Sequence, residues 1–465
     1  MSTQPQNYIY SVLFLVIFVV IVLVGLRLTK DDADKVNMKP VDIFSAVEKD
    51  SIPVPRLDSL KQEEKPLSVS AKAISLEQSD AEEDNPMGFI RFDDYSTNNN
   101  GLHLFFSKLL NQKALGRPVR IAFFGDSFIE GDILSGDLRR LFQENFGGRG
   151  VGMMPVTSQV NNFRKTVVHQ FSAWNTHSFN SNFDKSKLGI NGNVYIPNKN
   201  AWVYYQGVDN NLLDTCSRIS VFYSLPDGET KIYYKKNKGV SYYEKLPKAE
   251  NVGCVNIDGS CGNIQISFPQ MSQLHIYGVS MEDTTGVILD NYSLRGFSGT
   301  GLHRLSKEKL SCFNEILQYD LIILGFGLNV AEANRTEYKS YEKEMIQTID
   351  HLKSSFPNAS VLLIGVPDRC HKINGGYETM PGILSMIEYQ KNICQKSEIV
   401  FWNLFEAMGG KNSMPLFVNS NPPKASKDYT HLTFAGGEYL GNLLYETFMY
   451  EKEIYEKRFI QAMVK

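Results

Sequence analysis

The chain has 465 residues, of which 42% are hydrophobic and 21% are charged, a composition typical of a folded protein with a sizeable core. Its 48 basic and 51 acidic side chains give a formal net charge of −3, so it lacks the basic character that nucleic-acid binding requires. Six cysteines are too few for a disulfide scaffold, and none of their spacings is typical of a zinc site. At about 150 residues per domain, this length predicts two to three domains.

An apolar segment lies near the start of the chain, at residues 8–28. It carries no charged side chain from Ile9 to Leu26, and about 20 helical residues are enough to span a bilayer. A cleaved signal peptide or a buried core helix are the alternatives, but no Lys or Arg precedes the segment and no small-x-small cleavage site follows it. We therefore expect an uncleaved transmembrane anchor. The polar residues 29–86 that follow predict a flexible tether with a reach of roughly 40 Å.

The remainder of the chain has the pattern of an α/β domain that is interrupted by an all-β module. In residues 87–150, an apolar strand at 119–124 precedes a helical pattern. Residues 151–283 contain short aromatic and β-branched segments between turn residues, which predict a β-sandwich or jelly-roll. Over residues 284–465 strands again alternate with helices, one of them predicted over 302–319. This alternation predicts a parallel sheet with helices on both faces, a three-layer α/β/α domain.

Four polar blocks follow strands of the predicted α/β domain, where open parallel sheets form their sites. Ser127, in Gly-Asp-Ser-Phe, offers a nucleophile, and Gly299 lies in a glycine-rich turn whose N–H can approach an oxyanion closely. Asn329 offers a side-chain amide as a further donor. Asp428 and His431 are three residues apart, a spacing that lets the carboxylate orient the imidazole. The imidazole could then act as a base. Each block alone fits an ordinary turn or helix cap, so the hypothesis depends on the ordered set.

In this order the four blocks resemble the SGNH (GDSL-like) hydrolases, over residues 87–150 and 284–465. The segment from Gly125 onward is similar, more narrowly, to peptidoglycan O-acetylesterase-type members, which carry a carbohydrate-binding-like β module between the first two blocks. The resemblance implies a flavodoxin-like α/β/α fold and ester hydrolysis on a glycan, with no metal or other cofactor.

The resemblance also implies a role for each site residue. Ser127 would attack the acetyl carbonyl, His431 would carry the proton and Asp428 would orient His431. The oxyanion hole would consist of the Ser127 and Gly299 N–H groups and the Asn329 amide.

The sequence departs from the pattern of those esterases at one position, since Phe128 follows the serine where they often have histidine. The choice of Gly299 over Gly296 depends on the match to Ser-Gly-Thr.

Aromatic residues of the β module are candidates for glycan binding. Trp202 and Tyr204 share one face of a strand, and Trp174 lies in the same module. The favoured interpretation is that these side chains fill a sandwich core. Stacking on sugar rings follows from the family analogy alone.

Two cysteine pairs are candidates for disulfides. Cys254 and Cys261 flank a short segment that could form a hairpin, and Cys370 and Cys394 could form a second pair. Free buried thiols are the alternative.

The orientation in the membrane has two conflicting signals. Arg27, Lys30 and Lys35 follow the apolar segment and would keep the folded part in the cytoplasm. The glycan substrates of the family, and a disulfide if one forms, would place it outside. We expect a single-pass protein of a bacterial inner (cytoplasmic) membrane with its folded part in the periplasm or outside the cell.

The sequence thus predicts an anchored serine esterase that removes O-acetyl groups from an envelope glycan. An O-acetyltransferase with the same site, for which a membrane acyltransferase is a candidate partner, is the first alternative. A non-catalytic glycan-binding or scaffold subunit is the second.

Overall fold

The computed structural model of the chain describes residues 90–208 and 212–464. Within these ranges no helix is both long and apolar enough to cross a bilayer. The anchor predicted at residues 8–28 and the tether predicted at 29–86 lie outside the described residues.

A six-stranded sheet forms the centre of the α/β domain. Its strands are β1 (Asp93–Asp94), β2 (Val119–Gly125), β12 (Val287–Ser293), β13 (Leu321–Gly325), β14 (Ser360–Ile364) and β17 (Val400–Trp402). They lie in the order β1–β17–β14–β13–β2–β12, and all neighbours are parallel except the antiparallel pair β1–β17. The five parallel strands are short, mostly apolar and almost wholly buried, as expected for a parallel sheet covered on both faces.

Helices cover this sheet. They are α1 (His103–Leu110), α2 (Ser135–Phe146), α3 (Lys307–Leu317), α4 (Lys339–Ser355), α5 (Pro381–Ser397), α6 (Leu404–Ala407), α7 (Ser413–Asn419) and α8 (Phe434–Val464). They pack in two groups, α1 with α2 and α8, and α3 with α4 and α5. The predicted three-layer arrangement is confirmed.

The helix predicted over 302–319 is shorter in the structure. Residues Thr300–Arg304 form a 3₁₀ turn, and α3 begins only at Lys307. The interruption is Ser306, whose hydroxyl accepts the N–H of Lys309 at 3.2 Å and caps the new helix.

The β module is one antiparallel sheet folded over its own core. Its strands are β3 (Gly152–Met154), β4 (Val167–Ser178), β5 (Asn193–Gly207), β6 (Cys216–Leu225), β7 (Thr230–Lys236), β8 (Tyr242–Leu246), β9 (Ala249–Cys261), β10 (Asn263–Phe268) and β11 (His275–Glu282). The order is β8–β7–β10–β5–β11–β6–β9, with β4 beside β5 and β3 beside β11. The long β5 belongs to both layers, because its first half pairs with β11 and its second half with β10.

The two connections between the module and the α/β domain run side by side. The Asp283 N–H donates to the Arg149 carbonyl at 3.1 Å, and the Val287 N–H donates to the Gly147 carbonyl at 2.9 Å. Gly150 has φ +92°, and a Cβ there would collide with the backbone of Met281. The chain therefore leaves and re-enters the parallel sheet at one place.

A buried arginine joins the two parts of the fold. Arg120 lies on β2 and is 2% exposed. Its guanidinium donates to Asp290 of β12 at 2.8 Å and also pairs with Glu282 at the end of β11. The hydroxyl of Tyr319 donates to Asp290 at 2.6 Å. Two neighbouring strands of the parallel sheet, β2 and β12, and the last strand of the module thus share one buried ion-pair network.

Neither candidate disulfide is formed, since all six thiols are free. Cys254 and Cys261 lie in the single strand β9, about 20 Å apart at the rise of an extended chain, whereas a disulfide needs Cα atoms within roughly 7 Å. Cys370 lies on β15 (Cys370–Ile373) and Cys394 on α5. The cysteine that faces Cys261 is Cys216, its register partner on β6, whose Sγ is 3.5 Å from the Cys261 carbonyl.

We expect the Arg120 network to be a large contribution to stability. Arg120→Met leaves two carboxylates buried without their cation, which typically costs about 3–5 kcal/mol in the free energy of unfolding. Urea denaturation measures the loss. Arg140→Met is the control, because Arg140 forms only partly exposed pairs, with Glu144 at 3.0 Å and with Asp137 at 3.9 Å, and such pairs are worth about 0.5 kcal/mol each. Equal losses in the two variants would contradict this prediction.

The register of β6 and β9 predicts which thiols can be joined. Burial raises the pKa of Cys216 to about 12 and that of Cys261 to about 11, so reaction needs alkaline pH. Under diamide at alkaline pH, we expect peptide mapping to find a Cys216–Cys261 link. A Cys254–Cys261 link would show that β9 is not one continuous strand.

Candidate active site

Three of the predicted site residues form one chain of hydrogen bonds. Ser127 directly follows β2, and Asp428 and His431 lie in the loop between α7 and α8. The Ser127 Oγ is 3.1 Å from His431 Nε2, and His431 Nδ1 is 2.7 Å from Asp428 Oδ2. Such an arrangement can activate a serine hydroxyl as a nucleophile.

The Asp428 carboxylate is held in its ionised form. Burial opposes ionisation, but the hydrogen bonds from the His431 side chain and from the N–H groups of His431 and Thr430 outweigh it and lower the pKa of Asp428 to about 2. The same side-chain hydrogen bond raises the pKa of His431, against the opposing effect of its burial. Since Asp428 accepts from Nδ1–H, Nε2 is the nitrogen left to accept the Ser127 proton.

A hairpin that the sequence did not reveal supports this loop. It consists of β15 and β16 (Gly376–Thr379). The ring of Tyr377 stacks on that of Tyr429, with 3.5 Å between the ring centroids and 10° between the planes. The Tyr429 carbonyl also accepts the Cys370 N–H at 3.3 Å. Tyr429 has φ 53°, so these contacts hold a strained backbone between Asp428 and His431.

Asn329 is brought to the site, but its amide already has partners. Its Nδ2 donates to Asp126 Oδ2 at 2.7 Å and to the Phe297 carbonyl at 3.2 Å. Asn329 therefore joins the block that contains Ser127 to the block that contains Gly299. Its role as an oxyanion donor stays a prediction.

Asp126 is a site residue that the sequence analysis missed, although it stands beside Ser127 in the first block. Its Oδ1 accepts the Phe128 N–H at 2.9 Å while its Oδ2 holds Asn329. Burial raises the pKa of Asp126 to about 6, against the lowering effects of these hydrogen bonds and of His431. The buried carboxyl therefore positions both the turn after the serine and the amide of Asn329.

The two candidate glycines differ in their surroundings. Gly299 has φ +85°, and a Cβ there would lie 2.6 Å from the ring of Phe326, so only glycine fits. Gly296 also has a positive φ, of +70°, but faces open space. The close packing at Gly299 agrees with the choice of its N–H as an oxyanion donor. That role stays a prediction.

A cleft of about 630 Å³ lies beside this site, at the boundary with the β module. Its lining on the α/β side includes Phe297, whose carbonyl holds Asn329, and Arg295, which pairs with Glu130 at 2.5 Å and whose charge opposes protonation of His431. Its lining on the module side includes Ser172 and Trp174 of β4. Hydroxyl, amide and aromatic side chains line the walls between them, among them Thr157, Gln159, Thr176, Asn180 and Tyr195.

The structure corrects the favoured interpretation of the module's aromatic residues. Trp202 and Tyr204 alternate along β5 with buried residues and lie on the outer face of the sheet, not in the sandwich core. Trp174 is half-buried, packs against Phe268 and donates from Nε1 to the Trp202 carbonyl at 2.9 Å. The alternation in the sequence predicts that Trp202 and Tyr204 share one face of the strand. It does not show whether that face is the core side or the outer side of the sheet.

In the described ranges, no group of three or more His, Cys, Asp or Glu side chains could hold a metal ion.

No protein-family model and no curated protein matches the chain. Among solved structures, it is similar to a peptidoglycan O-acetylesterase, at 19% identity and a TM-score of 0.65, over 78% of this chain and 99% of that chain. An alignment of this length exceeds the α/β part alone and so includes strands of the β module. The fold expected from the resemblance to SGNH hydrolases is confirmed.

Two further solved structures are similar over smaller parts. An acetylxylan esterase from Geobacillus stearothermophilus has 15% identity and a TM-score of 0.27, over 35% of this chain and 73% of that chain. A family two carbohydrate esterase from Clostridium thermocellum has 9% identity and a TM-score of 0.26, over 61% of this chain and 98% of that chain. These TM-scores are too low for a comparison of folds.

The effect of Asp428 on His431 predicts how the reactivity of Ser127 depends on pH. His431 accepts a proton only when neutral, so labelling of Ser127 by a fluorophosphonate should increase with pH, with a midpoint above the ordinary value of 6.5. Asp428→Asn removes the carboxylate that raises the pKa of His431. We expect the midpoint to move to lower pH and the plateau rate to fall about 10³–10⁴-fold.

Asp350→Asn, on the exposed side of α4, is the control and should leave both values unchanged. A midpoint that stays in place in Asp428→Asn would show that Asp428 does not set the pKa of His431.

Proposed function

We propose that the chain is a membrane-anchored serine esterase that removes O-acetyl groups from an envelope glycan. The observation that carries this proposal is the hydrogen-bonded series Ser127, His431 and Asp428 beside a polar cleft. The shared fold with a peptidoglycan O-acetylesterase supports it.

The reaction proceeds in two steps. The Ser127 Oγ attacks the acetyl carbonyl while its proton passes to His431 Nε2, and the protonated His431 then gives that proton to the departing sugar hydroxyl. Water attacks the acetyl-serine with His431 again as the base, and acetate leaves with Ser127 restored. Asp428 stabilises the charged imidazole in both steps.

Backbone and side-chain donors stabilise the oxyanion in each step. We assign this role to the N–H groups of Ser127 and Gly299 and to the amide of Asn329. Asn329 donates to Asp126 at 2.7 Å and to the Phe297 carbonyl at 3.2 Å. The longer bond is the one that we expect the oxyanion to replace, so that Asp126 keeps the amide in place.

The cleft provides the support for a glycan substrate. Its walls present hydroxyl and amide groups beside aromatic rings such as that of Trp174, and sugars offer hydroxyl groups and apolar ring faces to such walls. A small pocket for a free ester would not need this length of polar wall.

The anchoring and location belong to the same proposal. The apolar residues 8–28 would hold the protein in a cytoplasmic membrane, and residues 29–86 would allow the folded part to reach a glycan nearby. A glycan substrate requires the folded part to lie outside that membrane.

The full-length chain should release acetate from O-acetylated peptidoglycan, and Ser127→Ala should reduce the rate at least about 10³-fold. Acetate is measured enzymatically and the remaining acetyl groups by mass spectrometry. Ser354→Ala is the matched control, because the Ser354 hydroxyl only donates to the His351 carbonyl on an exposed helix face.

Two other outcomes would contradict the proposal. Release that persists in Ser127→Ala would exclude Ser127 as the nucleophile. Acetyl groups that move to an added glycan acceptor, without free acetate, would instead identify an acetyltransferase.

A further inference from the structure

The outer face of one layer of the β module carries exposed aromatic side chains in register. In β5, Ala201, Val203 and Tyr205 are buried, whereas Trp202 and Tyr204 point away from the core. The neighbouring strands β10, β7 and β8 continue this layer. An antiparallel sheet can leave one face open to solvent, but such a face is normally polar.

One row of this face joins four strands. Trp202 is opposite Ser267 of β10, Ser267 is opposite Tyr233 of β7, and Tyr233 is opposite Tyr243 of β8. We call these four residues the aromatic row. Tyr233 and Tyr243 are 54% and 53% exposed. Trp202 and Tyr233 are two strand spacings apart, roughly 10 Å, which is about the length of a disaccharide unit.

The aromatic row begins at the cleft of the candidate active site. Ser172 of β4 is the register partner of Trp202 on the side away from Ser267, and Ser172 lines the cleft. Trp174, which also lines the cleft, donates to the Trp202 carbonyl. A chain lying along the row would therefore continue into the cleft.

The face is positively charged. Lys231 and Lys235 alternate with Tyr233 on β7, and Lys245 follows Tyr243 on β8, all of them exposed. The Lys231 ammonium lies 4.4 Å from the centre of the Tyr243 ring. Glu229 is the acid that faces this group, and its exposed contact with Lys245 is long, at 3.5 Å.

Polar side chains stand between the rings. Ser267 separates Trp202 from Tyr233, and Gln265 lies between Tyr204 and Lys235 in the next row. A sugar chain offers apolar ring faces for stacking and hydroxyl groups for hydrogen bonds, so it matches this alternation better than a continuous apolar protein surface does.

We propose that the aromatic row and its lysines form a binding track for an extended acidic glycan, which leads the glycan into the cleft beside the Ser127 site. The track deepens the proposed function and rests on it for the destination of the glycan.

The test is co-sedimentation of the full-length chain with insoluble peptidoglycan sacculi. The sacculi are first stripped of O-acetyl groups with mild alkali, so that binding does not require ester chemistry at Ser127. We expect the double variant Tyr233→Ala/Tyr243→Ala to raise the Kd at least about tenfold. Higher salt should weaken wild-type binding, and neutral insoluble chitin should bind less well, because the lysines act by charge.

Tyr242→Ala is the matched control. Tyr242 precedes Tyr243 on β8 and is equally exposed at 53%, but it points to the other face of the strand and stacks on Tyr234. Its Kd should stay within about twofold of wild type, and thermal melting checks that each variant is folded.

The track is wrong if the wild-type chain does not bind sacculi, or if the double variant binds them as tightly as wild type. It is also wrong if Tyr242→Ala weakens sacculus binding as much as the double variant does. A row that serves as a contact between copies of the chain would instead show loss of a dimer in the double variant with unchanged sacculus binding. Failure of the esterase proposal is separate, because it appears in acetate release and not in sedimentation.

Discussion

The arrangement of the site depends on one buried cation. Arg120 lies in β2, the strand that ends two residues before Ser127, and it binds a carboxylate of the adjacent strand and a carboxylate of the β module at once. A guanidinium in this position must be paired, since an isolated buried charge is very unfavourable. The requirement is met only when β2, β12 and the end of β11 lie side by side. One electrostatic constraint therefore fixes the position of the β2 end that precedes Ser127. The same constraint fixes the position of the module, which forms one wall of the cleft.

A second buried network repeats this principle closer to the cleft. Asp132, just after the serine turn, accepts hydrogen bonds from Arg139 of α2 and from Arg164 at the start of the module. Asn291 of β12 donates to the same carboxylate at 2.9 Å. Because charged groups need specific partners whereas apolar surfaces can slide, two such networks define one relative orientation for the α/β domain and the module. The position of Ser127 and the shape of the cleft thus depend on the same contacts.

Much of the fold and of the site could be predicted because the signals are local. Short apolar strands, the return of helical periodicity and the four ordered blocks all lie within a few residues of each other, and the structure brings Ser127, Asp428 and His431 together as the blocks imply. What failed depends on long-range register. Cys216 faces Cys261 only because β6 pairs with β9, and no spacing reveals that. The alternation in β5 shows that Trp202 and Tyr204 share a face, but which face is outside depends on strands distant in sequence. The Tyr377–Tyr429 stack joins a strand of the β15–β16 hairpin to a loop, and no sequence pattern links the two segments.

The paired connections of the β module have a consequence for what the cleft can admit. The chain leaves and re-enters the parallel sheet at adjacent points, and hydrogen bonds from Asp283 to Arg149 and from Val287 to Gly147 join the two connections. Together with the Arg120 network, these bonds attach the module to the α/β domain at several points. The module is therefore not joined by a single flexible linker that would let it rotate. These contacts hold the two walls of the cleft at a fixed separation. For a polymeric substrate of the kind proposed above, entry would then depend on the thickness of the polymer.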